Sequence, residues 1–179
     1  MQTIVSGLPA NLAASVLVVI HTAAVEQGHL ADVLNRNGNM RAVTALHGSL
    51  LRHRHIYVAK PDHHLTVSND RTWLSRGPTV NRHRPAIDPL FRSAARAYGK
   101  RVIGVILTGF LDDGSAGLAS IKANGGIGMV QEPDEAFGRD MPMNALWTAK
   151  PDYRLPIVEI APMLVRLVTG RENGKRGME

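Results

Sequence analysis

The chain alternates short apolar runs, bounded by glycine, proline and polar residues, with longer segments whose apolar positions recur every three or four residues. The short runs predict strands buried on both faces, and the longer segments predict amphipathic helices. The predicted strands cover residues 15–20, 41–45, 56–59, 102–107, 127–131 and 152–155, and the predicted helices cover residues 25–36, 88–98, 115–124, 142–148 and 157–168. Strands that alternate with helices indicate a doubly wound α/β fold, in which helices cover both faces of a mainly parallel, Rossmann-like sheet.

Two local signals add detail to this pattern. Residues 64–75, which read HLTVSNDRTWLS, predict a small antiparallel hairpin with Asn69 and Asp70 in its turn. Asp88 precedes Pro89 at the start of a predicted helix, so we expect Asp88 to cap that helix with Pro89 in its first turn.

Composition limits the classes of function. A chain of 179 residues fits one domain, and we assign residues 1–170 to it and residues 171–179 to a polar tail. The absence of cysteine excludes disulfides, a thiol nucleophile and thiolate metal sites. The net charge of +6 favours acidic partners of some kind. The longest apolar run, VLVVI, is too short to cross a membrane, so we expect a cytoplasmic protein without membrane insertion.

Polar side chains follow two of the predicted strands. His21 comes directly after the strand at residues 15–20, and Asp113 follows the strand at residues 102–107, just before Gly114. Functional groups of parallel sheets collect past the carboxyl ends of strands, where a carboxylate can fix the tautomer of an imidazole. Two structural interpretations stay open, namely that Asp113 caps the helix that follows it and that His21 is a hydrogen-bonded core residue.

A basic loop precedes the helix at residues 88–98. It contains Asn81, Arg82, His83 and Arg84 in succession. Guanidinium groups form paired hydrogen bonds to carboxylates and phosphates, so Arg82 and Arg84 are candidates for binding an anion or for clamping a loop. A solvated basic turn is the simpler interpretation.

Four segments together resemble the catalytic domain of the CheB-type chemotaxis protein-glutamate methylesterases. They read HIYVAKPDHHL, NRHRPAIDPLFRSAA, VIGVILTGFLDDGSAGLASIKANGG and MPMNAL, and the resemblance extends over residues 4–168. It implies a doubly wound α/β fold and a hydrolase that removes γ-methyl esters from glutamates of chemoreceptors, with glutamine deamidation in many members. The implied partners are the cytoplasmic helices of methyl-accepting chemoreceptors and other chemotaxis signalling proteins, and no cofactor or metal is implied.

The resemblance also assigns residues. The family's catalytic histidine falls on His21, and its aspartate, in the TG-x-x-x-DG loop, falls on Asp113, while Asp112 lies at a variable position. The family serine lies in a Gly-x-Ser-x-Gly-Gly turn after a first strand, which places it ahead of Met1. Ser6 and Ser15 are unsuitable substitutes. We therefore expect that the sequence is truncated or begins at an internal methionine, and that it lacks the first strand.

Four residues depart from the family pattern. Phe110 replaces the usual methionine, Leu111 a small residue, Asp140 a glycine and Lys60 a proline. Since Phe110 and Leu111 lie in the loop that presents Asp113, a narrower substrate groove is expected.

Three alternatives compete with an active methylesterase. The first is a non-catalytic interaction module of the same family, inactive because the serine is absent. The second is nucleic-acid binding through the basic segments at residues 51–55 and 81–85, which the low aromatic content of 4% disfavours. The third is a metal site, for which the candidate ligands are His53, His55, Asp62, His63 and His64.

Overall fold

The computed structural model describes residues 1–21 and 29–170, in which helices and strands alternate except for one run of four successive strands. The helices of this part of the chain are α1 (Gln2–Ser6), α2 (Leu30–Asn37), α3 (Ile87–Tyr98), α4 (Ser115–Ala123), α5 (Asp140–Ala149) and α6 (Ile157–Thr169). Its strands are β1 (Ser15–Val18), β2 (Arg41–Thr44), β3 (His55–Val58), β4 (His64–Ser68), β5 (Arg71–Ser75), β6 (Ile103–Ile106), β7 (Ile127–Gln131) and β8 (Tyr153–Leu155).

The strands pair mainly in parallel. One three-stranded sheet has the order β1-β3-β2 and another has the order β6-β7-β8, and all pairs within both are parallel. Strands β4 and β5 form an antiparallel pair. The turn between them holds Asn69 and Asp70 in the left-handed region, at φ values of 49° and 55°. The predicted α/β class and the predicted hairpin are both confirmed.

Helices cover both faces of the parallel strands. On β3, Ile56 and Val58 pack into a core with α1 and α6, while Tyr57 between them packs into another core with the hairpin and α3. Strand β6 behaves in the same way, because Val105 contacts the α1 and α6 side and Ile106 lies among α3, α4 and α5. Burial on both faces explains why these strands are continuous apolar runs rather than alternating ones.

Most element bounds differ from the predicted ones by one or two residues. Strand β1 ends at Val18, two residues earlier than predicted, and His21 lies three residues beyond its end. The predicted helix at residues 25–36 corresponds to α2, but its first residues fall in 22–28, outside the described part of the chain, as does the predicted tail at 171–179. Among the described helices, none combines the length and the apolar composition needed to span a membrane.

Candidate active site

His21 and Asp113 meet past the carboxyl ends of β1 and β6, which belong to the two separate parallel sheets. Their side chains are joined by a contact of 2.7 Å between His21 Nε2 and Asp113 Oδ2. Asp113 is 0% exposed, and the side chain of His21 is 16% exposed. The structure thus brings together the two residues that the sequence analysis singles out. Asp113 is buried, and His21 keeps a small part of its side chain in contact with solvent.

Asp113 receives a hydrogen bond from four donors. Its Oδ2 accepts from the backbone N–H of Ile87 at 2.6 Å as well as from His21. Its Oδ1 accepts from Asn81 Nδ2 at 2.9 Å and from the backbone N–H of Asp88 at 3.2 Å. Burial alone raises the pKa of Asp113, but the hydrogen bonds from His21, Ile87, Asn81 and Asp88 outweigh it and hold the pKa below its usual range. The buried carboxylate is therefore ionised near neutral pH.

The backbone N–H groups of Ile87 and Asp88 belong to the first turn of α3. Asp113 therefore caps α3 from a distant part of the chain. The expectation that Asp113 caps the helix that follows it is wrong, because the N-cap of α4 is Gly114 and no side chain caps it. Gly114 has a φ of 92°, a left-handed conformation that turns the chain and leaves the preceding carboxylate facing α3. The positive end of the α3 dipole adds to the stabilisation of the anion.

Asp88 also departs from its predicted role. Helix α3 begins at Ile87, and its N-cap is Ala86, without a side-chain cap. The buried carboxylate of Asp88 instead accepts a hydrogen bond of 2.7 Å from the backbone N–H of Gly117, in the first turn of α4. The expectation that Asp88 caps its own helix is therefore wrong, because its carboxylate binds the first turn of the neighbouring helix, α4.

A tight turn supplies a further contact to the Asp113 carboxylate. Val80 and His83 exchange two backbone hydrogen bonds, of 3.1 and 2.9 Å. Asn81 and Arg82 between them adopt φ values of 50° and 68°, as in a type I′ turn. Asn81 Nδ2 donates to Asp88 Oδ2 at 3.1 Å as well as to Asp113. One amide thus bridges two buried carboxylates, a role that the sequence analysis did not assign to it.

The same turn places a second histidine on the site. The rings of His83 and His21 are stacked, with their centroids 3.7 Å apart and their planes 5° from parallel. The only sequence signal for this arrangement is an asparagine followed by a basic residue in a loop rich in turn formers, and that signal does not identify the residue that the turn will contact.

The contact with Asp113 determines what His21 can do chemically. Because the carboxylate can only accept, the neutral imidazole of His21 carries its proton on Nε2. The lone pair is then on Nδ1, which is the atom available to take a proton from a nucleophile. The imidazolium formed in that step would be stabilised by the adjacent anion.

The hydroxyls of Ser6 and Ser15 are engaged elsewhere. Ser6 Oγ donates to the carbonyl of Thr3 at 3.1 Å, and Ser15 Oγ donates to the carbonyl of Arg52 at 2.9 Å. Ser15 opens β1, so it lies at the end of the strand opposite to His21. These contacts agree with the expectation that neither serine is the nucleophile.

Arg84 clamps a loop, as one of the three interpretations of the basic segment predicted. Its guanidinium donates to Asp62 Oδ1 at 2.7 Å through Nε and to the carbonyl of Gly77 at 2.8 Å. Arg82, by contrast, is exposed. The hydrogen bond from Arg84 is the leading cause that lowers the pKa of Asp62.

The loop between β6 and α4 is fastened to α5 at Leu111. The backbone N–H of Leu111 donates to Asp140 Oδ2 at 3.3 Å, and its carbonyl accepts from Asn144 Nδ2 at 2.8 Å. Leu111 has a φ of 65°, which costs energy for a side chain larger than glycine. The two contacts stabilise this conformation and the path of the loop towards Asp113.

Two phenylalanines are exposed, Phe110 in this loop and Phe137 next to it. Phe110 is 61% exposed and Phe137 is 91% exposed. Their rings form an edge-to-face pair with centroids 6.3 Å apart. Exposed aromatic rings on and next to the loop that carries Asp113 are typical of a surface that meets a partner or substrate.

The histidines proposed as metal ligands make separate contacts. His55 Nδ1 lies 2.9 Å from the carbonyl of His53, His63 Nδ1 lies 2.8 Å from that of Pro61, and His64 Nε2 lies 2.9 Å from that of Pro78. Within residues 1–21 and 29–170, no three acidic or histidine side chains converge in a way that could hold a metal ion.

Comparisons with known proteins point in one direction. A family model described as CheB methylesterase matches residues 1–164. A relative from Leptospira interrogans (strain Fiocruz L1-130) is 37% identical over 168 residues, which cover 93% of this chain and 87% of that protein. The protein-glutamate methylesterase/protein-glutamine glutaminase of Ralstonia nicotianae is 37% identical over 157 residues, 85% of this chain but 41% of that protein. The crystal structure of the Thermotoga maritima CheB methylesterase catalytic domain is similar with a TM-score of 0.89 and 29% identity, covering 93% of this chain and 90% of that one.

Proposed function

The chain belongs to the CheB methylesterase family, and from this premise we propose that it hydrolyses γ-methyl esters of glutamate side chains on chemoreceptors. Its relatives carry names that join protein-glutamate methylesterase with protein-glutamine glutaminase, so deamidation of glutamine side chains is included in the proposal. Both reactions replace a group on an acyl carbon by water, and both leave a glutamate.

The observation that carries the proposal is the contact between His21 Nε2 and Asp113 Oδ2 at the carboxyl ends of β1 and β6. Four hydrogen bonds keep Asp113 ionised in a buried position, and the carboxylate holds the proton of His21 on Nε2. We assign His21 as the general base and Asp113 as the residue that orients it.

In the proposed reaction His21 Nδ1 takes the proton of a serine hydroxyl as its oxygen attacks the ester carbonyl. The imidazolium then gives that proton to the departing methoxide, so that methanol leaves and a glutamyl ester of the serine remains. Water, deprotonated by the same nitrogen, hydrolyses this ester and restores the serine. The serine expected ahead of Met1 stays a prediction, as does the domain end at residue 170.

We propose the cytoplasmic helices of methyl-accepting chemoreceptors as the partner and the cytoplasm as the location. Their glutamate-rich segments would suit a chain with a net charge of +6. The exposed rings of Phe110 and Phe137 offer an apolar contact at the loop that carries Asp113.

Methanol release from a methylated chemoreceptor fragment tests the proposal. The protein is produced from its native gene, so that any residues encoded in frame ahead of Met1 are included, and is compared with His21→Ala. His53→Ala is the matched control, since His53 is an exposed histidine outside the site. We expect turnover by the native protein and the control and its loss in His21→Ala. Equal rates in His21→Ala and the native protein would remove His21 from the mechanism.

The same assay separates the active enzyme from a non-catalytic module of the same family. The engagement of Ser6 and Ser15 away from His21 is the observation that keeps this second candidate in view. A module would bind the receptor fragment and release no methanol, and that result would replace the proposed function.

A further inference from the structure

We propose that His83 is a positioning residue for His21, and that its ring, stacked on the His21 imidazole, keeps that imidazole in the plane in which Nε2 faces Asp113. The catalytic consequence rests on the proposed function. The structural consequence, which is a fixed tautomer and orientation of His21, does not.

The first argument is geometric. The two rings are nearly parallel, with planes 5° apart and centroids 3.7 Å apart, which is direct face-to-face contact. The bond from Nε2 to Asp113 fixes one atom of the His21 ring, but the ring can still tilt about the line from that atom to Cβ. A flat ring against its face blocks this tilt. The hydrogen bond to Asp113 fixes the direction of the His21 ring, and the stacking on His83 fixes its plane.

The second argument concerns how His83 itself is held. It closes the Val80–His83 turn, whose two backbone hydrogen bonds fix its main chain. Asn81, in the same turn, is bonded to Asp113 and Asp88. One short turn therefore contacts both members of the His21–Asp113 pair, and any shift of the turn would displace both contacts at once.

The third argument concerns charge. Burial, and next the nearby His21, lower the pKa of His83, while Asp113 acts in the opposite direction. His83 is flanked in the chain by Arg82, which is exposed, and by Arg84, which is paired with Asp62. His83 Nε2 is buried and has no hydrogen-bond partner among the described residues. A proton there would be poorly solvated, so His83 stays neutral and does not compete with His21 for the proton in the reaction.

Nuclear magnetic resonance of the histidine rings tests the structural part. In ¹⁵N-labelled native protein we expect His21 to show one tautomer, protonated on Nε2, with a slowly exchanging ring proton. In His83→Ala we expect a mixture of tautomers and faster exchange. His83→Phe supplies a flat ring without a titrating nitrogen, so it should preserve the native His21 signals. His53→Ala serves as the control and should leave them unchanged.

Kinetics on the methylated receptor fragment test the catalytic part. We expect kcat to fall about 10-fold or more in His83→Ala, because small misplacements of a catalytic group are costly. KM should stay unchanged, and His83→Phe should retain a rate within about 3-fold of the native one. Thermal unfolding of each variant confirms that it is folded. If His83→Ala does not fold, His83→Gln replaces it, since glutamine occupies the space without a flat ring.

The outcomes are separable. If no protein, including the native one, releases methanol, the proposed function fails while the ring signals still decide the role of His83. Native His21 signals in His83→Ala would overturn the inference. So would a His83→Phe variant impaired as severely as His83→Ala, because the polarity of His83 rather than its flat ring would then be responsible.

Discussion

Asp113 binds the first turn of α3, the helix that contains Asp88, and Asp88 binds the first turn of α4, the helix that follows Asp113. Asp113, which precedes α4, accepts the backbone N–H groups of Ile87 and Asp88 in α3. Asp88 accepts the backbone N–H of Gly117 in α4. These hydrogen bonds connect the first turns of α3 and α4, and they provide donors to both buried carboxylates. They also hold Asp113 where His21 reaches it, so that the packing of α3 on α4 and the geometry of the candidate site depend on the same hydrogen bonds.

Replacement of Asp113 by asparagine should remove catalysis and leave the fold in place. The amide has nearly the same shape, but its NH₂ group can donate a proton to His21, which favours the wrong tautomer. We expect kcat for methanol release to fall about 10⁴-fold, as in other enzymes with a histidine held by an aspartate. Asp112→Asn is the matched control, because Asp112 is the exposed neighbour, and its rate should stay within about 2-fold of the native one. A similar loss in both variants would contradict the distinct roles assigned to the two aspartates.

The ionisation of Asp113 should also appear as pH-dependent stability. Its pKa in the folded protein lies below the ordinary value of 3.8, so the unfolded chain takes up a proton first as the pH falls. The contribution of the carboxylate is fully present above that ordinary value and is lost as the pH falls through the folded pKa. Urea unfolding of the native protein and of Asp113→Asn, from about pH 5 down to about pH 3, measures it. The difference in free energy of unfolding should be constant near pH 5 and should shrink below it; a difference that stays constant throughout would show that Asp113 has an ordinary pKa.

Much of the fold follows from the sequence, because strands buried on both faces leave a clear apolar pattern. The strands that end near His21 and Asp113 could be placed to within about two residues, which put both side chains past the carboxyl ends of strands. Their assignment as a pair came from the resemblance to the CheB-type family. The predicted CheB-type family is confirmed by the match to residues 1–164.

The partners of the pair could not be predicted in the same way. Asn81 and His83 reach the site through a type I′ turn whose first φ > 0 residue is followed by arginine rather than glycine, so the segment looked like a solvated basic loop. Capping rules are local, so they assigned Asp88 to its own helix and kept a cap of α4 open for Asp113. In the structure Asp113 accepts from the first turn of α3 and Asp88 accepts from the first turn of α4. Contacts between distant segments carry no local sequence signal.

Gly117 should be intolerant of a side chain because of the contact between α3 and α4. A Cβ atom at this position would lie 2.6 Å from Phe91 Cβ and 2.9 Å from Asp88 Oδ1. We expect Gly117→Ala to lower the free energy of unfolding by about 1–3 kcal/mol, despite the better helix propensity of alanine. Gly77→Ala is the control, because a Cβ there meets no atom within 4 Å, and it should change stability by less than about 0.5 kcal/mol. Denaturant unfolding gives both values, and equal stabilities would mean that the helices separate at little cost.

The exposed pair of Phe110 and Phe137 should contribute to binding of the receptor and not to chemistry. Both rings are open to solvent beside the loop that carries Asp113, so their replacement by serine costs little folding stability. For the double variant Phe110→Ser and Phe137→Ser, we expect KM for the methylated receptor fragment to rise roughly 10-fold with kcat nearly unchanged, as for aromatic residues at the centre of an interface.

Two controls sharpen that experiment. Leu50→Ser changes an exposed apolar residue that pairs with Arg71 of the hairpin, away from the pair, and should leave KM unchanged. A small glutamate methyl ester lacks the receptor surface that the rings are proposed to contact, so it should be hydrolysed equally by the native and the double-variant protein. If KM rises for the small ester as well, the rings shape the substrate groove itself and do not contact the receptor. The expected narrowing of the groove by Phe110 would then explain the result better than receptor binding.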